Sequence, residues 1–420
     1  MSLLIKKAKI IHPDSSYNGE VKDMLVQNGK IIRIADEIKD EKATVISSAK
    51  LHASIGWMDI GTVSGEPGYE QRETFESLSK TAAAGGYTAI AVFPNTMPVS
   101  DSKSSIQYVS NTTKSLLVDF LPIASVSKGC KGVEITEMID MKENGAIAFS
   151  DGVHSIESSG LMLRALQYSK VVNGIVIHQA SDPGIANGND IHEGTVSTSL
   201  GLKASPVLSE VLAVERDLRL AEYAEGRLLV HNISSAESVE KLKAFKSKNV
   251  YCSVPYLNLC KTDQSIASFD VNYKTCPPLR SEGDREALVN GIRKNVIDII
   301  SSNHVPLEEE LKKKEFVYAD AGATGLQTCF SALCSFAKDI SIKKMVKCLA
   351  LNPRHIFGLG IPAIEEGAEA NLCLFDPEAE WELNETNNFS LSRNSPFWNQ
   401  KLNGKVIAVI KARQNHINNY

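Results

Sequence analysis

Residues 53–101, ASIGWMDIGTVSGEPGYEQRETFESLSKTAAAGGYTAIAVFPNTMPVSD, decide the fold. A short, partly apolar strand is expected over 55–60, followed by a polar loop through Glu66-Pro67-Gly68. Residues 73–84 have helical composition and stop at Gly85-Gly86, a helix C-terminal signal. Residues 87–93 are an apolar run of the kind buried on both faces. Strand, helix and strand in this order make a crossover unit of a parallel sheet with the helix outside it. In a barrel, the residues at the C-terminal ends of such strands, here Asp59 onward and Asn95, face the functional mouth.

Outward from this unit the alternation continues. Apolar strand-like runs at 89–93, 116–123, 146–149, 174–177, 227–230, 250–254 and 296–300 join 55–60 to give eight, separated by helical stretches. Eight is the count of a (β/α)8 barrel, and a doubly wound sheet is the alternative on periodicity alone. Before the barrel come short strands with an Asn28-Gly29 hairpin signal between alternating apolar runs. After it, 370–375 and 405–410 return to β character around an Asn- and Ser-rich loop at 384–396. The expected organisation is therefore a composite β-domain from 1–52 and 366–420, with the barrel over 53–365.

A chain of 420 residues, 43% hydrophobic, can bury a large core. Its formal net charge of −5 gives no footprint for nucleic acid. The run Lys312-Lys313-Lys314 follows Glu308-Glu309-Glu310, which reads as a solvated helix. Eight cysteines lie without CxxC spacing, several in apolar runs (Cys329, Cys334, Cys348, Cys373), as expected of reduced core residues and not of a cysteine-based zinc site. No signal segment and no run of about 18 apolar residues is seen, so a cytoplasmic protein without a membrane partner is expected.

The opening stretch resembles the first barrel strands of dihydroorotases in the amidohydrolase superfamily, which read roughly PGxIDxHVHLREPG, AAAGGxT and PNTxPxxD. The resemblance continues through Cys276-Pro277-Pro278-Leu279-Arg280-Ser281-Glu282, Gly325-Leu326-Gln327-Thr328 and Asn352-Pro353. It extends to Ile356-Phe357-Gly358-Leu359, 366–372, Phe375-Asp376-Pro377 and Asn394-Ser395-Pro396-Phe397. It implies the (β/α)8 barrel over the doubly wound sheet. It also implies two divalent metals, usually zinc, at the barrel mouth with a bridging hydroxide, and an aspartate that shuttles the proton.

Carried over by position, much of that chemistry is gone. The first-strand metal histidines fall at Gly61 and Val63, and the catalytic aspartate at Asn303. Glycine and valine cannot donate to zinc, and an asparagine amide is a weak ligand and no base near neutral pH. The second metal's positions match Asp151, His178 and His231, each following an apolar strand. These three can hold at most one zinc, with water completing a tetrahedron; the bland alternative is that they are hydrogen-bonded barrel residues. His304 is expected to be structural. The family's three carboxylate anchors fall at Gly65, Asn95 and Leu307, with Asn95 either a turn residue or a surviving substrate contact. Cys276 replaces an asparagine and Tyr256-Leu257 a histidine pair of the family pattern.

Three functions follow as expectations. The first is a dihydroorotase-like protein linked to de novo pyrimidine synthesis, with lost or strongly reduced activity. Its role would be structural or regulatory, as a homo-oligomer assembling with aspartate transcarbamoylase or a catalytic paralogue. The second is an active cyclic amidohydrolase, converting dihydroorotate and water to N-carbamoyl-aspartate with a single metal. The third is a small-ligand binding protein whose emptied mouth, carrying Val63, Val305 and Leu307, favours a less polar molecule.

Overall fold

The computed structural model describes residues 2–186, 191–245 and 247–420. Both termini build one sheet. Strands β1 (Ser2–Ile10), β2 (Val21–Gln27), β3 (Lys30–Ala35), β4 (Thr44–Ile46) and β5 (His52–Ile55) open the chain. Asn28 and Gly29 both take positive φ, 51° and 84°, at the two-residue turn where Gln27 faces Lys30. That is the hairpin geometry whose twist matches the flanking strands.

The barrel strands follow in chain order: β6 (Trp57–Thr62), β7 (Tyr87–Val92), β8 (Asp119–Ala124), β9 (Ala148–Phe149), β10 (Ile175–His178), β11 (Arg227–Val230), β12 (Val250–Pro255) and β13 (Ile299–Ser301). Each pairs in parallel with the next. Strands β14 (Asn371–Glu382), β15 (Lys401–Lys411) and β16 (Gln414–Ile417) then return to the terminal sheet, ordered β16-β15-β14-β5-β1-β2-β3 with β4 beside β1. The eight expected barrel strands are all present, with ends moved by a few residues. Leu116 and Leu117 pack against the core from a turn before β8 instead of extending it.

The helix Phe75–Ala84 starts where Thr74 and Ser77 exchange side-chain and backbone hydrogen bonds, and it ends at Gly85. Its neighbour strand joins the barrel to the terminal sheet through Trp57. The Trp57 ring packs on Tyr87, Phe330 and Phe375, and its indole N–H donates to Ser54 Oγ at 3.0 Å. Inside the barrel, alternate strand residues such as Met58, Ile60, Ala89, Ala91, Ile123, Ile175, Ile177, Leu229 and Ile299 form a separate apolar core. Ile356 and Phe357 join that core from the end of the helix Asn352–Ile356 and its C-terminal cap.

Between the first and last barrel strands, the Asp59 side chain and a backbone hydrogen bond supply connections. The Asp59 carboxylate accepts from the Ser302 N–H and hydroxyl, both at 2.7 Å, and from Thr62 Oγ1 at 2.6 Å. The Val63 N–H donates to the His304 carbonyl at 3.0 Å. Burial raises the Asp59 carboxyl above its ordinary range, and these donors oppose the shift. The acidic-basic run at 308–314 departs from the expected solvated helix. Its helix is one turn, Glu309–Lys312, and Lys312 is buried, donating to the Asp320 and Gly322 carbonyls.

Asp298, just before β13, is a half-buried carboxylate. Its carboxylate accepts from the Cys252 N–H at 3.0 Å, yet burial pushes the carboxyl from 3.8 up to about 6. The folded form thus binds this proton more tightly than the unfolded chain, so stability falls as the pH rises from about 4 to about 6, and the full cost of the ionised group persists above that. Asp298→Asn retains an acceptor for Cys252 and removes the charge. It is expected to raise stability at pH 7.5 by about 1–2 kcal/mol, below the roughly 3 kcal/mol set by the full pKa gap. The gain should shrink toward pH 4, and urea melts of both proteins across that range check it.

Candidate functional site

The first-strand metal position is occupied by protein. Gly61 lies in β6 at φ +76°, where the register skips from Ile60↔Ala91 to Thr62↔Val92, so it is the extra residue of a bulge. A Cβ on Gly61 would lie 2.6 Å from His231 Nε2 and 2.8 Å from Phe93 Cζ. The Phe93 and His231 rings meet edge to face with centroids 5.3 Å apart. His231 follows β11, and Phe93 follows β7. Two strand ends thus close over the space beside Gly61. Val63, the second replaced histidine, is half-buried and packs against the barrel's apolar core.

His231 is 1% exposed. Its Nδ1 pairs with Ser253 Oγ at 2.9 Å, while Nε2 has no hydrogen-bond partner among the described residues. Burial alone drives its pKa down to about 3, so the ring is neutral at physiological pH.

His178 differs. Its Nδ1 lies 2.5 Å from Asp217 Oδ2, and its Nε2 accepts from the Ile156 N–H at 2.8 Å. Asp217 is held in turn by the Arg216 guanidinium at 2.7 and 2.9 Å. Both ring nitrogens of His178 are therefore spent on protein. Asp151 is spent likewise: its carboxylate accepts from the Ser127 N–H at 2.8 Å and from the Ser127 hydroxyl. Burial raises its carboxyl, and the Ser127 donors pull against that.

Among the described residues, no three His, Cys, Asp or Glu side chains stand together as a metal cage. The expected trio of Asp151, His178 and His231 is not assembled as a ligand set here. The donors as placed do not fit a zinc ion; His231 Nε2 is the one nitrogen of the trio's two imidazoles without a partner.

The expected substrate contacts are also committed elsewhere. Asn95 donates to the Asp151 carbonyl at 3.1 Å and accepts from the Val153 N–H at 3.1 Å, tethering the loop after β9. At Gly65 a Cβ would strike Glu73 O at 2.3 Å and Tyr69 O at 2.5 Å, so no side chain fits there. Asn303 accepts from Asn232 Nδ2 at 3.0 Å and donates to the Cys276 carbonyl at 3.1 Å. His304 is buried, with Nδ1 facing the Gly325 N–H at 3.2 Å and Nε2 lying 3.6 Å from the Glu73 carboxylate.

A cavity of about 430 Å³ opens over β9–β11, lined by residues including Lys131, Ser155, Gln179, Glu210, Asn232, Cys276 and Arg280. Val63, Val305 and Leu307 are absent from its lining, which mixes these polar groups with apolar ones such as Val153, Ala180 and Pro277, while Leu307 lines a second cavity beside Asn394. Val305 and Leu307 instead pack toward Gly322.

Several determinants escaped the sequence. Asp217 sits mid-helix in Val207–Ala224 with no motif to mark it. Ser127 and Ser253 are serines among many. Phe93 ends an apolar run and reads as core, and nothing in its identity shows that it meets His231.

Comparison with known proteins agrees with this frame. A family model described as dihydro-orotase-like matches residues 55–238. Dihydroorotases from Syntrophus aciditrophicus and Aquifex aeolicus are 34% and 35% identical, with 98% of this chain and 98% of each relative covered. Among solved structures, the L-hydantoinase (dihydropyrimidinase) of Arthrobacter aurescens superposes with TM-score 0.84 at 22% identity, over 98% of this chain and 95% of that one. Dihydropyrimidinase from Brevibacillus agri gives 0.81 at 19%, over 100% and 95%. These two establish the shared fold, while identity above 30% along nearly the full length of both dihydroorotases establishes more: the chain belongs to the dihydroorotase family.

Proposed function

We propose that this dihydroorotase-family protein has lost the hydrolase reaction and retains a structural or regulatory role in pyrimidine synthesis, exerted through aspartate transcarbamoylase or a catalytic paralogue. The observation that carries the reading is at Gly61, where the direction of a ligand side chain is filled by His231 and Phe93. Asn303 supports it, because an amide tied to Asn232 and Cys276 cannot take a proton from water near neutral pH. Loss of a general base costs about 10²–10⁴-fold in rate. Without a metal to lower the pKa of water, no strong nucleophile forms at neutral pH either.

The test is elemental analysis together with an assay in both directions, after incubation with zinc or manganese. The expected result is sub-stoichiometric metal and no dihydroorotate hydrolysis or N-carbamoyl-aspartate cyclisation above background. Turnover like that of an ordinary dihydroorotase refutes the proposal.

One observation favours the second reading, a hydrolase with a single metal: the partnerless Nε2 of His231. That reading requires His178 and Asp151 to exchange their present partners for the metal. Stoichiometric zinc together with dihydroorotate turnover, both disappearing in His178→Ala and His231→Ala, would establish it.

A further inference from the structure

The helix Val207–Ala224 lies between β10 and β11 in the chain, and its two faces are employed differently. The inner face supplies Asp217 to His178 and Glu210 to the Ser234 and Ser235 N–H groups. The outer face carries Leu208, Leu212, Glu215, Arg219 and Glu222, at alternating spacings of four and three residues. That is the 3.5-residue period of a seam along which one helix packs against another.

Single exposed apolar residues are ordinary on a protein surface, but these stand in line. Leu208 and Leu212 are 52% and 43% exposed at one end of the stripe. Tyr223, beside Glu222 at the other end, is 76% exposed. There the Lys170 ammonium meets the Glu225 carboxylate at 2.6 Å. This contact brings in the end of the helix Ser159–Val171, whose Val171 is 72% exposed. Between the apolar ends stand Glu215 and Arg219. Among the described residues, the ion pair of Arg219 is with Glu215 at 3.4 Å, which also receives Lys241 at 3.4 Å.

In either direction the stripe runs apolar, charged, apolar. A surface of that symmetry is its own complement once a second copy is turned end for end. With Glu215 of both copies beside the axis, Leu208 meets Tyr223 and Val171 of the second copy. Leu212 then lies along the alkyl stem of the second copy's Arg219. That guanidinium stands about one helical turn from the opposite Glu215, within reach of its carboxylate. Each glutamate thus faces a guanidinium from both copies, which offsets the closeness of two like charges at the axis.

We propose that the protein is a two-fold dimer joined by antiparallel pairing of these helices. Such a dimer forms whether or not the chain turns over substrate, and it gives the expected homo-oligomer its face. It braces from outside the helix that holds His178 from within.

One helix face and the ends of its neighbours make a small contact, so a dissociation constant on the order of 10 µM is expected. Sedimentation velocity of the full-length protein from about 1 to about 200 µM tests it, and a monomer that becomes a dimer across that range is expected. Leu212→Glu and Tyr223→Glu, both at exposed positions, should each weaken association at least about tenfold. Arg219→Glu should weaken it about threefold to tenfold, and adding Glu215→Arg to that variant should recover most of the loss. Circular dichroism establishes that each variant folds; if one does not, the others decide. A protein still monomeric at about 200 µM overturns the proposal and leaves the stripe to an unlike partner. So does a dimer that Leu212→Glu and Tyr223→Glu leave unchanged, or a double charge reversal that associates no better than Arg219→Glu alone.

Discussion

Wild-type protein should lose roughly 3–4 kcal/mol of stability between pH 7 and pH 4 through His231 alone, and His231→Asn should remove most of that loss. The ring is enclosed by Phe93, by the Ser253 hydroxyl and by the backbone at Gly61, and among the described residues no acidic side chain pairs with it. Burial holds its pKa at about 3 against 6.5 for a free imidazole. The unfolded chain therefore binds a proton across that interval while the folded chain does not. Stability from this residue is fully present above pH 6.5 and drains away as the pH falls toward 3.

The asparagine variant has its own cost. It gives up ring packing against Phe93, about 1–2 kcal/mol at pH 7.5 by analogy with other core truncations. The two stability curves should converge, and then cross, as the pH drops to 4. Guanidinium melts at four or five pH values measure the difference directly, and the other titrating groups cancel in the comparison. Parallel curves would mean that His231 can be protonated inside the fold. That outcome requires a water path or a charged partner at the ring.

The frame of this protein was legible because it is written in periodic features. Apolar runs, the Gly85-Gly86 stop and the Asn28-Gly29 turn each report a local preference that tertiary packing then reinforces. That the family's ligand and base residue types are replaced at Gly61, Val63, Gly65 and Asn303 was also legible, since it needs only the identities at those positions. What filled the vacated positions was not. That Asp217 takes the Nδ1 of His178, or that Ser127 takes the Asp151 carboxylate, depends on which helix face or loop arrives at a strand end. Such meetings are non-local, and neither residue carries a signal. β16 was invisible for a related reason: Gln414–Ile417 is polar and pairs only as an edge strand on β15.

Restoring the missing histidine is expected to damage the fold before it restores any site. Gly61→His should cost about 3–5 kcal/mol, from two separable causes. A side chain at φ +76° costs about 1–3 kcal/mol in a region that glycine alone occupies freely. Overpacking adds about 1–3 kcal/mol, because Cβ meets His231 Nε2 at 2.6 Å and Phe93 Cζ at 2.8 Å. Phe93→Ala alone should cost about 3–5 kcal/mol as a buried aromatic truncation. In the double variant the imidazole occupies part of the space Phe93 leaves, so the combined loss should fall short of the sum by at least about 1 kcal/mol. The backbone term has no such relief, since it is set by the bulge between Ile60 and Thr62. Thermal melts of the four proteins with and without zinc separate the terms. If Gly61→His folds within about 1 kcal/mol of wild type and gains a zinc-dependent rise in melting temperature, the mouth is an intact metal site lacking one ligand, and the barrier is chemical. If the coupling appears and zinc has no effect, the bulge and the Phe93–His231 contact are what keep the family's metal out, and replacing ligands one at a time cannot bring it back.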